Sequence, residues 1–153
     1  MSAKTYTSDS INITVGVSAV DFSRADLEFY EVDHSGASFE ARVFFNNLNA
    51  NEETPKTAEH GYAGSFHVLG HGGCFGDVGH CEITAAQRPY DPRLSHMLTP
   101  IKKVVIVTEG LKRTAAPGET ITVTVVPIVT GFTELCDLEN VLKFDHIKLV
   151  TYG

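Results

Sequence analysis

The sequence lacks the features that membrane, secreted and nucleic-acid-binding proteins need. No apolar run approaches the roughly 18 residues that a membrane-spanning helix requires, so we expect no membrane association. The opening residues, MSAKTYTSDS, contain no apolar core of a secretory signal, which favours a cytoplasmic location. The formal net charge is −7, from 19 acidic and 12 basic residues. Because non-specific nucleic-acid binding depends on neutralising phosphates, no nucleic-acid partner is expected.

Motifs for known catalytic chemistries are also missing. The sequence has neither a Gly-x-Ser-x-Gly nucleophile elbow nor a glycine-rich phosphate loop that leads into a helix. No segment carries a convincing helical stripe of apolar residues, and the chain shows no internal repeat. The sequence therefore assigns no reaction and favours a protein that is not an enzyme.

Alternation of apolar and polar residues dominates the rest of the chain. The segment FEARVFF, for example, places Phe39, Ala41, Val43 and Phe45 on one face and Glu40 and Arg42 on the other. Similar alternation predicts seven strands, over residues 11–19, 26–32, 39–45, 62–70, 102–109, 119–126 and 143–152. Turns rich in glycine, proline and asparagine separate them. We therefore predict an all-β protein, an antiparallel β-sandwich of seven or eight strands in a single domain over residues 1–153.

Two long segments lie between the predicted strands, at residues 46–61 and 70–100. Long ordered loops on a compact sandwich commonly carry function, so both are candidates for a site. Residues 133–142 form either one short helix or a further loop.

Histidines and cysteines concentrate around the start of the second loop, in GSFHVLGHGGCFGDVGHCEI, residues 64–83. Alternation along the preceding strand places Ser65, His67 and Leu69 on one side, and glycines allow a tight turn after it. Imidazole nitrogen and thiolate sulfur are ligands that suit zinc or copper. The candidate metal ligands are His67, His71, Cys74, His80 and Cys81.

Two other interpretations of this segment stay open. The chain has three cysteines, so a Cys74–Cys81 disulfide would leave Cys136 free. The glycines could instead form a plain structural turn in which the histidines carry no metal. The segment contains no Cys-x-x-Cys pair, so its spacing matches no common zinc motif.

Several segments together resemble a known family. YEVDHSGASFEARVFFNN followed by YAGSFHVLGH, and then VVIVTEGLK, ITVTVVP and LKFDHIKLV, are similar to strands in the C-terminal domain of plant-type polyphenol oxidases and related tyrosinase-like proteins. The resemblance covers roughly residues 26–152. It implies a β-sandwich that packs over, and shields, a di-copper site held by a separate helical domain.

That helical domain has no counterpart in this sequence, so the resemblance transfers no catalytic residue to it. It implies instead a non-catalytic module that acts by packing on a partner protein or on itself. The added metal site is predicted from the His/Cys segment itself, which departs from the family pattern, so the resemblance neither predicts nor excludes a metal there. The alternative is a stand-alone copper- or zinc-binding protein, for metal storage, delivery or metal-dependent catalysis.

Overall fold

The computed structural model describes residues 5–12, 22–34, 36–70, 100–114, 119–130 and 141–153. These ranges contain seven strands, one α-helix and one short 3₁₀ turn, Ala58–His60. The strands are β1 (Tyr6–Asn12), β2 (Arg24–Val32), β3 (Phe39–Phe45), β4 (Tyr62–Val68), β5 (Ile101–Ile106), β6 (Thr120–Val129) and β7 (His146–Tyr152), and the helix α1 (Thr108–Thr114) lies between β5 and β6.

The strands form two antiparallel sheets. One has four strands in the order β1-β6-β3-β4, and the other has three in the order β5-β2-β7. Apolar side chains from both sheets meet in one main core, which confirms the predicted all-β sandwich. Within the part of the chain that is described, no helix is long and apolar enough to cross a membrane.

The predicted alternation correctly identifies the side chains that fill this core. Phe39, Ala41, Val43 and Phe45 on β3 are all buried, as are Ile121, Val123 and Val125 on β6. Phe29 on β2 lies at the centre, with its ring centroid 4.7 Å from that of Phe66 and 5.3 Å from that of Phe144. Burying these side chains is the main favourable contribution to folding.

The predicted boundaries differ from the structure by a few residues at most strands, and two of these differences are informative. The first strand begins at Tyr6 rather than at residue 11, while residues 13–19 lie outside the described ranges. The predicted strand 102–109 ends early, and α1 begins at Thr108. The backbone N–H of Ala25 donates to Thr108 Oγ1 (3.0 Å), and Leu111 buries its side chain in the core. This tertiary packing explains the change from strand to helix.

The first long loop, 46–61, covers the outer face of the four-stranded sheet. Ala50 of this loop is buried in a second, small cluster with Phe44 of β3 and Val126 of β6. Both strands are therefore apolar on each face at this point, where sequence alternation predicts one polar face. The predicted helix or loop at 133–142 falls almost entirely on residues outside the described ranges.

Candidate functional site

His67 is the one predicted metal ligand within the described residues. It lies on β4 between the buried Phe66 and Val68, so its side chain faces outward, as does the exposed Leu69. The His67 side chain is 69% exposed. The other four predicted ligands, His71, Cys74, His80 and Cys81, lie outside the described residues, as does the proposed disulfide partner Cys136.

Glu40 is the closest acidic partner of His67. The two residues are directly opposite each other on β3 and β4, and Glu40 Oε2 lies 3.2 Å from His67 Nε2. Glu40 Oε1 accepts hydrogen bonds from Arg42 Nε (2.6 Å) and from Lys56 Nζ (2.7 Å). Glu40 points outward as predicted, but these partners leave it buried rather than solvated.

The charges around Glu40 keep its carboxyl ionised. Burial by itself raises the pKa of Glu40, but the hydrogen bonds and positive charges of Lys56 and Arg42 outweigh it and lower that pKa to about 2. Glu40 contacts Nε2 of His67, and none of the described residues forms a hydrogen bond with its Nδ1. Within the described ranges, no three His, Cys, Asp or Glu side chains come together as a metal site.

A second surface, which the sequence analysis did not identify, lies on the outer side of the three-stranded sheet. We call it the open face: it consists of the outward side chains of β2 (Arg24, Asp26, Glu28, Tyr30), of β5 (Lys102, Val104, Ile106) and of β7 (His146, Lys148, Val150, Tyr152). Its apolar members are unusually exposed: Val104 is 42%, Ile106 60% and Tyr152 47% exposed. Val104 and Ile106 adjoin each other on the edge strand β5, whereas Tyr152 lies across β2 on β7. Adjoining exposed apolar groups on a sheet are typical of binding surfaces.

A sequence signal for this face exists in β5. Residues 104–107, VVIV, are apolar without interruption, a pattern typical of a strand that is covered on both sides. Val105 and Val107 fill the core, whereas Val104 and Ile106 point the other way. None of the residues that the structure describes covers Ile106. Val104 and Ile106 are therefore available for contact with another surface.

Charged groups on the open face form pairs along the central strand. Asp26 is buried and accepts a hydrogen bond from Arg24 Nε at 2.8 Å. Glu28 is bound by Lys102 Nζ (2.5 Å) and by the Tyr30 hydroxyl (2.8 Å). These two hydrogen bonds lower the pKa of Glu28, and the bond to Glu28 raises the pKa of Lys102. Both carboxylates of the face are therefore already engaged by side chains of the same chain.

A β-bulge shapes one end of the open face. The pairing of β2 with β5 shifts between Phe29 and Val32, and Glu31 there adopts a left-handed backbone with φ 56°. Tyr30 beside it stacks on His146, with ring centroids 4.5 Å apart and planes within 8°. His146 is exposed, but its ring is held in place by this stack.

Fold and surface together define the class of protein: a two-sheet β-sandwich in which the described residues leave the outer side of one sheet uncovered. A solved structure with a similar fold is a latent aurone synthase, a polyphenol oxidase from a natural source. The two align with a TM-score of 0.50 and 19% sequence identity, over 97% of this chain and 24% of the oxidase. No family model matches the chain, and no curated protein matches its sequence.

This likeness extends over nearly all of the present chain, which spans about a quarter of the length of the oxidase. At 19% identity it shows a shared fold and nothing about shared chemistry. The chain is therefore similar to part of a polyphenol oxidase, in agreement with the resemblance drawn from the strand segments.

Proposed function

We propose that this chain is a single, non-catalytic β-sandwich domain that acts by packing on a partner protein. The open face carries this proposal. Val104 and Ile106 adjoin each other on β5 and offer an apolar contact on a rigid sheet, and Tyr152 adds an exposed ring on the far side of β2. Each fully buried side chain of this size contributes about 1.5–3 kcal/mol. In a protein that worked alone, these outward side chains would be a liability for aggregation.

The contrast between the two sheets supports the same role. Loop 46–61 covers part of the outer face of the four-stranded sheet with the protein's own residues. The outer face of the three-stranded sheet has no such cover among the described residues. Likeness to a segment of a longer oxidase favours a module of the shielding type, similar to the C-terminal domain of that family. A cytoplasmic location remains part of this proposal.

Charge substitution at the open face tests the proposal. Ile106→Lys should abolish association, because it places a charge within the apolar contact that Ile106 forms with Val104. Leu48→Lys is the matched control: Leu48 is 61% exposed, as Ile106 is 60%, but it lies on loop 46–61. In extracts of cells that express each variant, native gel filtration should find wild type and Leu48→Lys in a complex and Ile106→Lys at 16.6 kDa. A wild-type chain that elutes as a free monomer would overturn the proposal.

We also propose a metal site formed by His67, His71, Cys74, His80 and Cys81, with zinc or copper as the ion. The contact between His67 and Glu40 supports it. A histidine that binds a metal commonly uses one ring nitrogen for the ion and donates the other N–H to a carboxylate. Glu40 Oε2, 3.2 Å from His67 Nε2, provides such a carboxylate and leaves Nδ1 for the ion. A stand-alone metal-binding protein is the alternative function that this site would support.

Elemental analysis of the purified protein, with a count of free thiols, tests the metal site. The expected result is near-stoichiometric zinc or copper that is lost in His67→Ala and Cys81→Ser but kept in His60→Ala, whose imidazole contacts Thr57 in loop 46–61. Bound metal should also raise the melting temperature, and a chelator should reverse this. If no metal is found and one thiol is free, the metal site is wrong and the segment contains a Cys74–Cys81 disulfide instead.

A further inference from the structure

The outer edge of β7 is open to a further strand within the part of the chain that is described. We infer that this edge pairs antiparallel with β7 of a second copy of the chain, so that two three-stranded sheets join into one sheet of six strands. The inference goes beyond the proposed packing function, since it concerns backbone pairing at the edge of the sheet and not side-chain contact on the open face.

Of the four strands at sheet edges, β7 has the most regular pairing. The pairings of β1, β4 and β5 with their neighbours each contain a register shift, and such irregularities hinder pairing with another chain. All seven residues of β7, in contrast, pair with β2 in one uninterrupted register. An edge that is regular along its whole length offers its free backbone N–H and C=O groups to a further strand.

The described residues also close the two sides of the sandwich to different extents. On the side of β4 and β5, a Cβ at Gly64 would lie 2.6 Å from Val105 Cγ1, so these two edge strands approach closely, and Val105 is buried. On the side of β7, Ile147 and Leu149 face the core but are only partly buried, although their partners on β2 are fully buried. A strand added to β7 would remove this apolar area from water.

The sequence of β7 suits antiparallel pairing with itself. Two identical antiparallel strands are related by a two-fold axis, which is the symmetry of an isologous dimer. The register that pairs all seven residues is centred on Leu149, which then lies opposite its own copy on the core side. On the outer side, Lys148 lies opposite Val150 and His146 opposite Tyr152, so no two lysines face each other directly. A foreign strand would have to supply this match, whereas a second copy contains it.

The joined sheet has the strand order β5-β2-β7-β7-β2-β5. Because its two-fold axis is perpendicular to the sheet, both open faces lie on the same side. The two Lys148 side chains lie diagonally across the axis, and Glu28 beside each of them on β2 offsets their repulsion. One strand from each chain buries less than the roughly 1,200–2,000 Å² of a standard interface, so we expect a dissociation constant on the order of 10–100 µM and free chains in dilute cell extracts.

Sedimentation equilibrium of the purified full chain, between about 1 µM and 1 mM, tests this inference. The mass should rise with concentration from 16.6 kDa to twice that value. Val150→Lys should weaken the dimer roughly threefold to tenfold, because the new charge lies opposite Lys148 of the second copy, and Val150→Glu should strengthen it by a similar factor. General repulsion between chains of net charge −7 would act with the opposite sign in both variants, so the pair of variants identifies the register.

Val104→Lys is the matched control. Val104 is also an outward-facing valine, but it lies on β5 at the far edge of the same sheet, so this variant should dimerise like wild type. Hydrogen exchange of the wild-type chain adds a measurement that depends on no variant: exchange in β7 should slow as the concentration rises.

Four results would overturn the inference. The first is a mass that stays at 16.6 kDa at every concentration. The second is a dimer that Val104→Lys weakens and Val150→Lys does not, which would place the contact between copies on the open face. The third is a dimer that Val150→Lys strengthens and Val150→Glu weakens. The fourth is equal protection of β7 from exchange at all concentrations, which would mean that the edge is already paired within one chain.

Discussion

Replacing Thr124 by valine should stabilise the protein. Thr124 lies on β6 at the outer side of the four-stranded sheet, opposite Phe44 on β3, and is 0% exposed. Its hydroxyl Oγ1 has no hydrogen-bond partner among the described residues. Burying such a hydroxyl without a partner costs about 1–3 kcal/mol in proteins. Valine keeps the branched shape of threonine and places a methyl group where the hydroxyl was, so this cost disappears.

The expected gain in the free energy of unfolding is about 1–2 kcal/mol. For a chain of this size, each kcal/mol raises the melting temperature by roughly 2–4 °C. Urea denaturation and calorimetry both measure this change. The control is Thr120→Val on the same face of β6, where the residue is exposed and the substitution should stay within about 0.5 kcal/mol of wild type.

Two results would refute this reasoning. A loss of 1 kcal/mol or more in Thr124→Val would mean that the hydroxyl has a partner, such as a buried water that valine displaces. An equal gain in Thr120→Val would mean that the higher strand preference of valine, rather than relief of the buried hydroxyl, explains the effect.

Three further predictions concern the core, the turn at loop 46–61 and acid stability. Phe29→Ala should destabilise the protein by about 3–5 kcal/mol in urea denaturation, since its ring is fully buried at the centre of the aromatic cluster; a loss below about 1 kcal/mol would contradict this. Gly61→Ala should cost at least about 1–2 kcal/mol in the same assay, because Gly61 has φ 82° and a Cβ there would lie 2.2 Å from the carbonyl oxygen of Phe45; a neutral variant would disprove the strain. Because the pKa of Glu40 is lowered from 4.5 to about 2, its contribution to stability is present above pH 4.5 and lost as the pH falls towards 2. As the pH falls from 4.5 towards 2, Glu40→Gln should therefore lose less stability than wild type, as measured by thermal melting at each pH. Identical acid profiles would mean that the ion pairs of Glu40 with Lys56 and Arg42 do not stabilise the protein.

The fold followed from the sequence because strand alternation is a local property. Phe39, Ala41, Val43 and Phe45 share a face on any extended backbone, so their burial could be predicted without knowing what they pack against. The helix α1 could not be predicted in this way. Its residues, TEGLKRT, follow an apolar run and carry no apolar stripe of their own. Only the bond from Ala25 to Thr108 and the burial of Leu111 favour a helix there.

The candidate sites, like the fold, could be predicted from the sequence only in part. The sequence placed His67 on one side of its strand with Ser65 and Leu69, next to a His/Cys segment, and in the structure that side faces outward. The sequence did not indicate Glu40 as its partner, since the two are 27 residues apart and become neighbours only through the β3–β4 register. The open face was also missed, although the uninterrupted VVIV run offered a signal for it.

By itself, the sequence determined the strands, the residues that fill the core between the sheets, and the antiparallel sandwich. These follow from a side-chain period of two and from the burial of apolar groups, which act within each segment. Only the tertiary structure decided which outer face is covered. Loop 46–61 packs on Phe44 and Val126 of one sheet, while Val104 and Ile106 of the other sheet remain exposed. That outcome depends on contacts between segments far apart in the chain, which no local pattern encodes.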